Sequence, residues 1–124
     1  MTETNHTLLI IDDEEDLLYQ FVSLFRSFEK VRLLTATDAK EGLRIALLEK
    51  PAVISVDYRL PEMDGEELLK ELKVFLPESK YVVMTGWEDG QTRERIERIG
   101  VDAYFEKPFD LETVLETIMK LLLI

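Results

Sequence analysis

Cysteine is absent from the chain, which excludes disulfides, thiolate nucleophiles and cysteine-based metal sites. Histidine occurs once, as His6 near the polar start, where a solvated imidazole is a better reading than a ligand or base. No apolar run follows Met1, and the late run at 121–124 is far too short to cross a bilayer. A cytoplasmic protein without membrane contact is therefore expected. Basic residues are outnumbered, 15 against 26 acidic, and the formal net charge of -11 argues against a phosphate-backbone surface. Nucleic acid should not be touched directly by this domain. With five glycines, four prolines and no internal repeat or linker, residues 1–124 read as one domain long enough to bury a core.

The polarity pattern alternates short apolar runs with helically spaced apolar residues. Residues 52–57, Ala-Val-Ile-Ser-Val-Asp, read as a buried strand whose last residue, Asp57, is a lone carboxylate at the strand mouth. Pro61 and Gly65 punctuate the turn after it, and Leu68, Leu69, Leu72 and Phe75 share a helical face at 66–76. Residues 7–11 form another apolar run that discharges into Asp12, Asp13, Glu14, Glu15 and Asp16, before a helix carrying Leu17, Leu18, Phe21, Leu24, Phe25 and Phe28. A weaker strand is expected at 31–35, then a helix capped near Thr37, Asp38 and Glu41 and closed by Pro51. Strands at 81–85 and 101–106 complete the set, with helices at 91–99 and after Asp110. The helix at 91–99 has little apolar surface beyond Ile96 and Ile99, so it should be the least securely packed.

Strict alternation of strands and helices predicts an α/β protein, a doubly wound parallel sheet of five strands flanked by five helices. Ligands of such sheets bind beyond the carboxyl ends of the strands, where Asp12, Asp13, Asp57, Thr85 and Lys107 all fall. Taken singly, these are helix-start acids, a turn-initiating aspartate, a strand-end threonine and a surface lysine; their convergence favours a site. Crowded carboxylates repel unless a cation joins them, and an all-oxygen set suits Mg2+, with Mn2+ as the other candidate. Such a metal site with a hydroxyl and an ammonium suits phosphoryl transfer, with Asp57 as nucleophile, Asp12 and Asp13 on the metal, and Thr85 and Lys107 on phosphoryl oxygens.

At these residues the chain resembles the receiver domains of two-component response regulators, of the chemotaxis-receiver kind. Asp12-Asp13, Asp57, the Pro61 to Gly65 turn, Thr85-Gly86 and Lys107-Pro108-Phe109 follow the family's order and approximate spacing, and the likeness covers nearly the whole chain. It implies a flavodoxin-like sheet of order 2-1-3-4-5 and a phosphoprotein switch whose Asp57 takes a phosphoryl group in a Mg2+-dependent reaction. The donor would be the phosphohistidine of a sensor histidine kinase, a phosphotransfer protein or a small phosphodonor. The domain would catalyse only its own phosphorylation and dephosphorylation. The resemblance also implies that the Arg59 backbone carbonyl completes the metal shell, that Lys107-Pro108 is cis, and that Thr85 and Tyr104 move together. Arg59 and Trp87 would flank the site and, as bulky groups, slow hydrolysis of the acyl phosphate.

A downstream effector domain or protein would read the face made by the fourth helix, fifth strand and fifth helix. The Arg93 to Arg98 run otherwise reads as a solvated helix face, and Met119, Leu121, Leu123 and Ile124 crowd beyond one stripe, hinting at an interface such as a dimer. Three other functions fit less well. A phosphohydrolase of the haloacid dehalogenase kind needs a second aspartate two places after its nucleophile, where Arg59 stands. A vestigial interaction module would not need every expected polar group. Flavin binding lacks a phosphate loop after the first strand, where the acids would repel it.

Overall fold

The computed structural model describes residues 5–86 and 90–123; the expectation for Trp87 lies outside them. Five strands and five helices alternate along the chain: β1 (Thr7–Ile11), α1 (Glu15–Phe25), β2 (Arg32–Ala36), α2 (Ala39–Glu49), β3 (Val53–Asp57), α3 (Gly65–Phe75), β4 (Lys80–Thr85), α4 (Gly90–Ile99), β5 (Ala103–Glu106) and α5 (Leu111–Leu121). All strand pairs are parallel, in the order β2-β1-β3-β4-β5, as the resemblance implied. β1 and β3 are buried along nearly their whole length because both sheet faces are covered, which is why they read as continuous apolar runs. Successive residues of β1 serve opposite layers: Leu8 and Ile10 pack with α1 and α5, Leu9 and Ile11 with α2, α3 and α4.

Local chemistry sets most element ends. Asp38, Asp64 and Asp110 cap α2, α3 and α5, each accepting from a backbone N–H in the first turn. α2 ends two residues before Pro51, and its C-cap Lys50 turns left-handed (φ 46°) with its N–H reaching Ala46 O. β2 starts and ends one residue later than the pattern predicts, and α1 stops at Phe25. Phe28 instead folds back, its N–H on Phe25 O and its ring 6.1 Å from that of Phe25. α4 buries only Thr92 and Ile96, in keeping with its sparse apolar face, and polar clamps supplement them. Lys73 Nζ donates to Ile99 O and Gly100 O at 2.7 and 2.6 Å, and the Arg93 guanidinium lies 5.5 Å from the Tyr104 ring centre. Met119 and Leu121 pack against the core, so that crowd of apolar residues is mainly internal; among its described members only Leu123, 80% exposed, faces outward.

The turn after β3 is tied down from both sides. Arg59 pairs with Asp64 as an isolated bridge, and Glu62 reaches across to accept from Ala39 N at the start of α2. Gly65 N donates to Tyr58 O, and a Cβ on Gly65 would sit 2.5 Å from the Tyr58 Cα and carbonyl oxygen. Backbone cannot yield as a side-chain tip can. Gly65→Ala is therefore expected to lower unfolding stability by about 3 kcal/mol, read from urea denaturation; a wild-type midpoint would refute the close approach.

Candidate functional site

The strand order reverses between β1 and β3, so their carboxyl ends open side by side at the sheet's switch point. Ile11 is in register with Val56, Asp57 with Met84 and Thr85 with Glu106, which brings the ends of four strands to one level. Asp12, Asp13 and Asp57 meet there, each offering a carboxylate oxygen within 4.8 Å of the others. Asp12 and Asp57 are only 1% and 4% exposed, whereas Asp13 faces solvent.

Each buried acid has one oxygen held by backbone and one turned toward a cation. Asp12 Oδ1 accepts from Glu14 N at 2.9 Å, and Asp57 Oδ1 from Arg59 N at 3.1 Å. Lys107 Nζ then stands 2.8 Å from Asp12 Oδ2 and 3.5 Å from Asp57 Oδ2. Its backbone is anchored by Lys107 N donating to Thr85 O at 2.7 Å, and its bond to Pro108 is cis, as the resemblance implied.

Burial, and next the charge of Asp12, push the Asp57 carboxyl up to about 7, against the pull of the Arg59 N–H and the Lys107 ammonium. Burial disfavours the Lys107 charge, but hydrogen bonds to Asp12 and Glu14 outweigh it and raise its pKa. A compact set of hard oxygens carrying more negative charge than one ammonium offsets is chemically fitted to a divalent cation such as Mg2+.

Of the residues singled out in the sequence, Asp12, Asp13, Asp57 and Lys107 are in one cluster, and Thr85 is fully buried at the end of β4 beside it. Arg59 contributes its backbone N–H to Asp57, with its side chain exposed. Tyr104 stands apart, in register with Val83 on β5, half-buried beneath Arg93. Glu14, passed over as one of a run of acids, is a member of the cluster: its Oε1 accepts from Lys107 Nζ at 2.8 Å. Its place directly after the acid pair was the available signal.

A cleft of about 580 Å³ lies between α3 and α4 against Lys70, Lys73, Arg95 and Arg98, away from these acids. A cleft of about 500 Å³ does open on Lys107, lined also by Leu17, Gln20, Gly86, Phe109 and Leu111. Chemistry rather than size marks the second as the approach to the site.

The family model described as the response regulator receiver domain matches residues 8–119. Sporulation initiation phosphotransferase F of Bacillus subtilis is 27% identical over 118 residues, 95% of this chain and 94% of that protein. Three further regulatory relatives are longer, and the chain spans from 24% to 49% of their length. Among solved structures, a CheY-like receiver domain protein from Methanospirillum hungatei superposes with a TM-score of 0.86 at 30% identity, covering 95% of this chain and 94% of that one. A response regulator protein from Burkholderia pseudomallei, solved with a phosphorylated aspartic acid, a calcium ion and citrate, gives 0.78 at 28% identity, covering 92% and 66%.

Proposed function

This chain belongs to the response regulator receiver domain family, and from that membership we propose that Asp57 accepts a phosphoryl group and thereby switches a partner-binding surface. The observation that carries the reading is the placement of the Asp57 carboxylate, one oxygen fixed by Arg59 N–H and the other facing Lys107, beside Asp12 and Asp13. The phosphorylated aspartic acid of the Burkholderia pseudomallei regulator supports it.

In the reaction, a carboxylate oxygen of Asp57 attacks the donor phosphorus. With a histidine kinase or phosphotransfer protein as donor, the P–N bond breaks and its electron pair stays on the imidazole nitrogen. Lys107 would present an ammonium N–H to the charge on the phosphoryl oxygens, and Thr85, buried at the end of β4, would donate its hydroxyl to another. Asp12, Asp13, Asp57 and the Arg59 carbonyl would hold Mg2+ or Mn2+, which when bound neutralises phosphoryl charge. The cleft beside Lys107, with Leu17, Phe109 and Leu111 on its walls, gives a protein donor an apolar seat next to the acids. The exposed Arg59 side chain can shield the acyl phosphate, in keeping with slow self-dephosphorylation.

Downstream, α4, β5 and α5 supply the face an effector or a second copy would read. Few buried side chains anchor α4, and Tyr104 connects it to β5 through Arg93, so a shift of Thr85 and Tyr104 can move this face at modest cost. All ten elements belong to one sheet and its two helical layers, which supports the reading of 1–124 as one receiver unit.

Intact mass after incubation with acetyl phosphate, with and without Mg2+, tests the reading. The expected result is a Mg2+-dependent gain of one phosphoryl group that Asp57→Asn abolishes. Catalytic release of phosphate without an adduct would point to a hydrolase instead. Neither adduct nor turnover would point to a vestigial or donor-selective module.

A further inference from the structure

Asp12 is claimed by two cations. Its Oδ2 accepts from Lys107 Nζ at 2.8 Å, and it is one of the three acids placed to share a metal. An ammonium and a divalent cation on one buried carboxylate lie within a few ångströms of each other, where little water screens them. Lys107's hold on Asp12 is therefore weakened when that site fills. Glu14 also binds Lys107, at 2.8 Å, but lies outside the metal-sharing group. Its side chain is 58% exposed and makes no cap bond to α1, so its contact with Lys107 does not serve the helix.

We infer that Glu14 is a positioning residue that keeps Lys107 at the site once a divalent cation occupies Asp12, aiming a free ammonium N–H at the phosphoryl group arriving on Asp57. An ammonium has three donors; two are used at 2.8 Å, and the third faces Asp57 Oδ2 at 3.5 Å. Without Glu14 and with Asp12 shared with the metal, only that weakened contact is left on the α1 side, among the described residues, to hold the lysine in that orientation. The inference deepens the receiver reading and rests on Asp57 being the acceptor.

The test compares wild type, Glu14→Gln, Glu14→Asp and a charge control, Glu15→Gln, whose side chain is exposed. At saturating Mg2+, phosphorylation by phosphoramidate is expected to slow about fivefold in Glu14→Gln, to fall between in Glu14→Asp and to stay unchanged in Glu15→Gln. A second readout needs no phosphoryl transfer. The NMR nitrogen–proton correlation of the Lys107 ammonium, assigned by its loss in Lys107→Arg, is visible while hydrogen bonds shelter the protons. It should survive added Mg2+ in wild type and, in Glu14→Gln, be present without Mg2+ and lost with it. A signal that persists in Glu14→Gln with Mg2+, or a wild-type phosphorylation rate, overturns the inference. Failure of wild type to take up phosphate would instead overturn the acceptor reading, while the Mg2+ titration would still decide the role of Glu14.

Discussion

Asp57→Asn is expected to raise the thermal midpoint of the metal-free protein at neutral pH, even as it removes the proposed phosphoryl acceptor. Burial and the neighbouring charge of Asp12 raise the Asp57 carboxyl from 3.8 to about 7, so ionising it inside the fold is unfavourable. The folded-state pKa lies above the unfolded value, and the folded protein holds an extra proton between those limits. The stability supplied by protonated Asp57 is thus present below about pH 4 and lost as the pH rises through about 7. The full linkage amounts to about 4 kcal/mol. An amide keeps the shape without the charge, but still buries polar atoms, so a gain of about 2 kcal/mol, or roughly 5–10 °C, is the realistic outcome. Mg2+ should stabilise wild type by relieving the same repulsion and should stabilise Asp57→Asn much less. Calorimetric scans at pH 5 and pH 7.5, with and without Mg2+, separate these effects. An Asp57→Asn protein less stable than wild type at pH 7.5 without metal would sink the electrostatic account.

The parts of this fold that were legible in the sequence are those written in local chemistry. Asp38 and Asp110 announced helix starts, and the apolar run at 7–11 coincides with β1, because capping and two-sided burial leave their mark residue by residue. The convergence of Asp12, Asp57, Thr85 and Lys107 was legible because each ends or follows a strand of one parallel sheet. What escaped depends on three-dimensional distance. Phe28 fits the helical period of α1, yet it packs by folding back on Phe25, a tertiary contact that no spacing encodes. Gly65 reads as turn punctuation, but its necessity comes from the Tyr58 backbone lying against it. Glu14 is indistinguishable by type from Glu15 and Asp16, and beyond its place after the acid pair only the reach of a lysine 93 residues away sets it apart.

Lys107→Met should produce the opposite sign from Asp57→Asn, and the pair together test whether these groups act as a unit. Methionine keeps an unbranched apolar stem against the cleft of Leu17 and Phe109, but leaves the buried Asp12 and Asp57 carboxylates without their ammonium. Removing one partner of a buried ion pair costs about 3 kcal/mol, chiefly through the charge left behind. Metal-free Lys107→Met should therefore unfold at markedly lower urea than wild type at pH 7.5. Much of the deficit should vanish toward pH 5, where Asp57 takes up its proton, since losing the lysine lifts that carboxyl further still. Mg2+ should also restore stability, a divalent charge replacing the lost ammonium, without restoring phosphorylation. The rate with acetyl phosphate should stay about a hundredfold or more below wild type, because the proposed donor to the phosphoryl oxygens is gone. In the Asp57→Asn background the lysine substitution has one less carboxylate to strand, so its effect on stability should shrink by about 1 kcal/mol or more. Strictly additive single and double mutants would mean that Lys107 stabilises the fold through Asp12 and Glu14 alone, and that its 3.5 Å approach to Asp57 carries no energy in the resting protein.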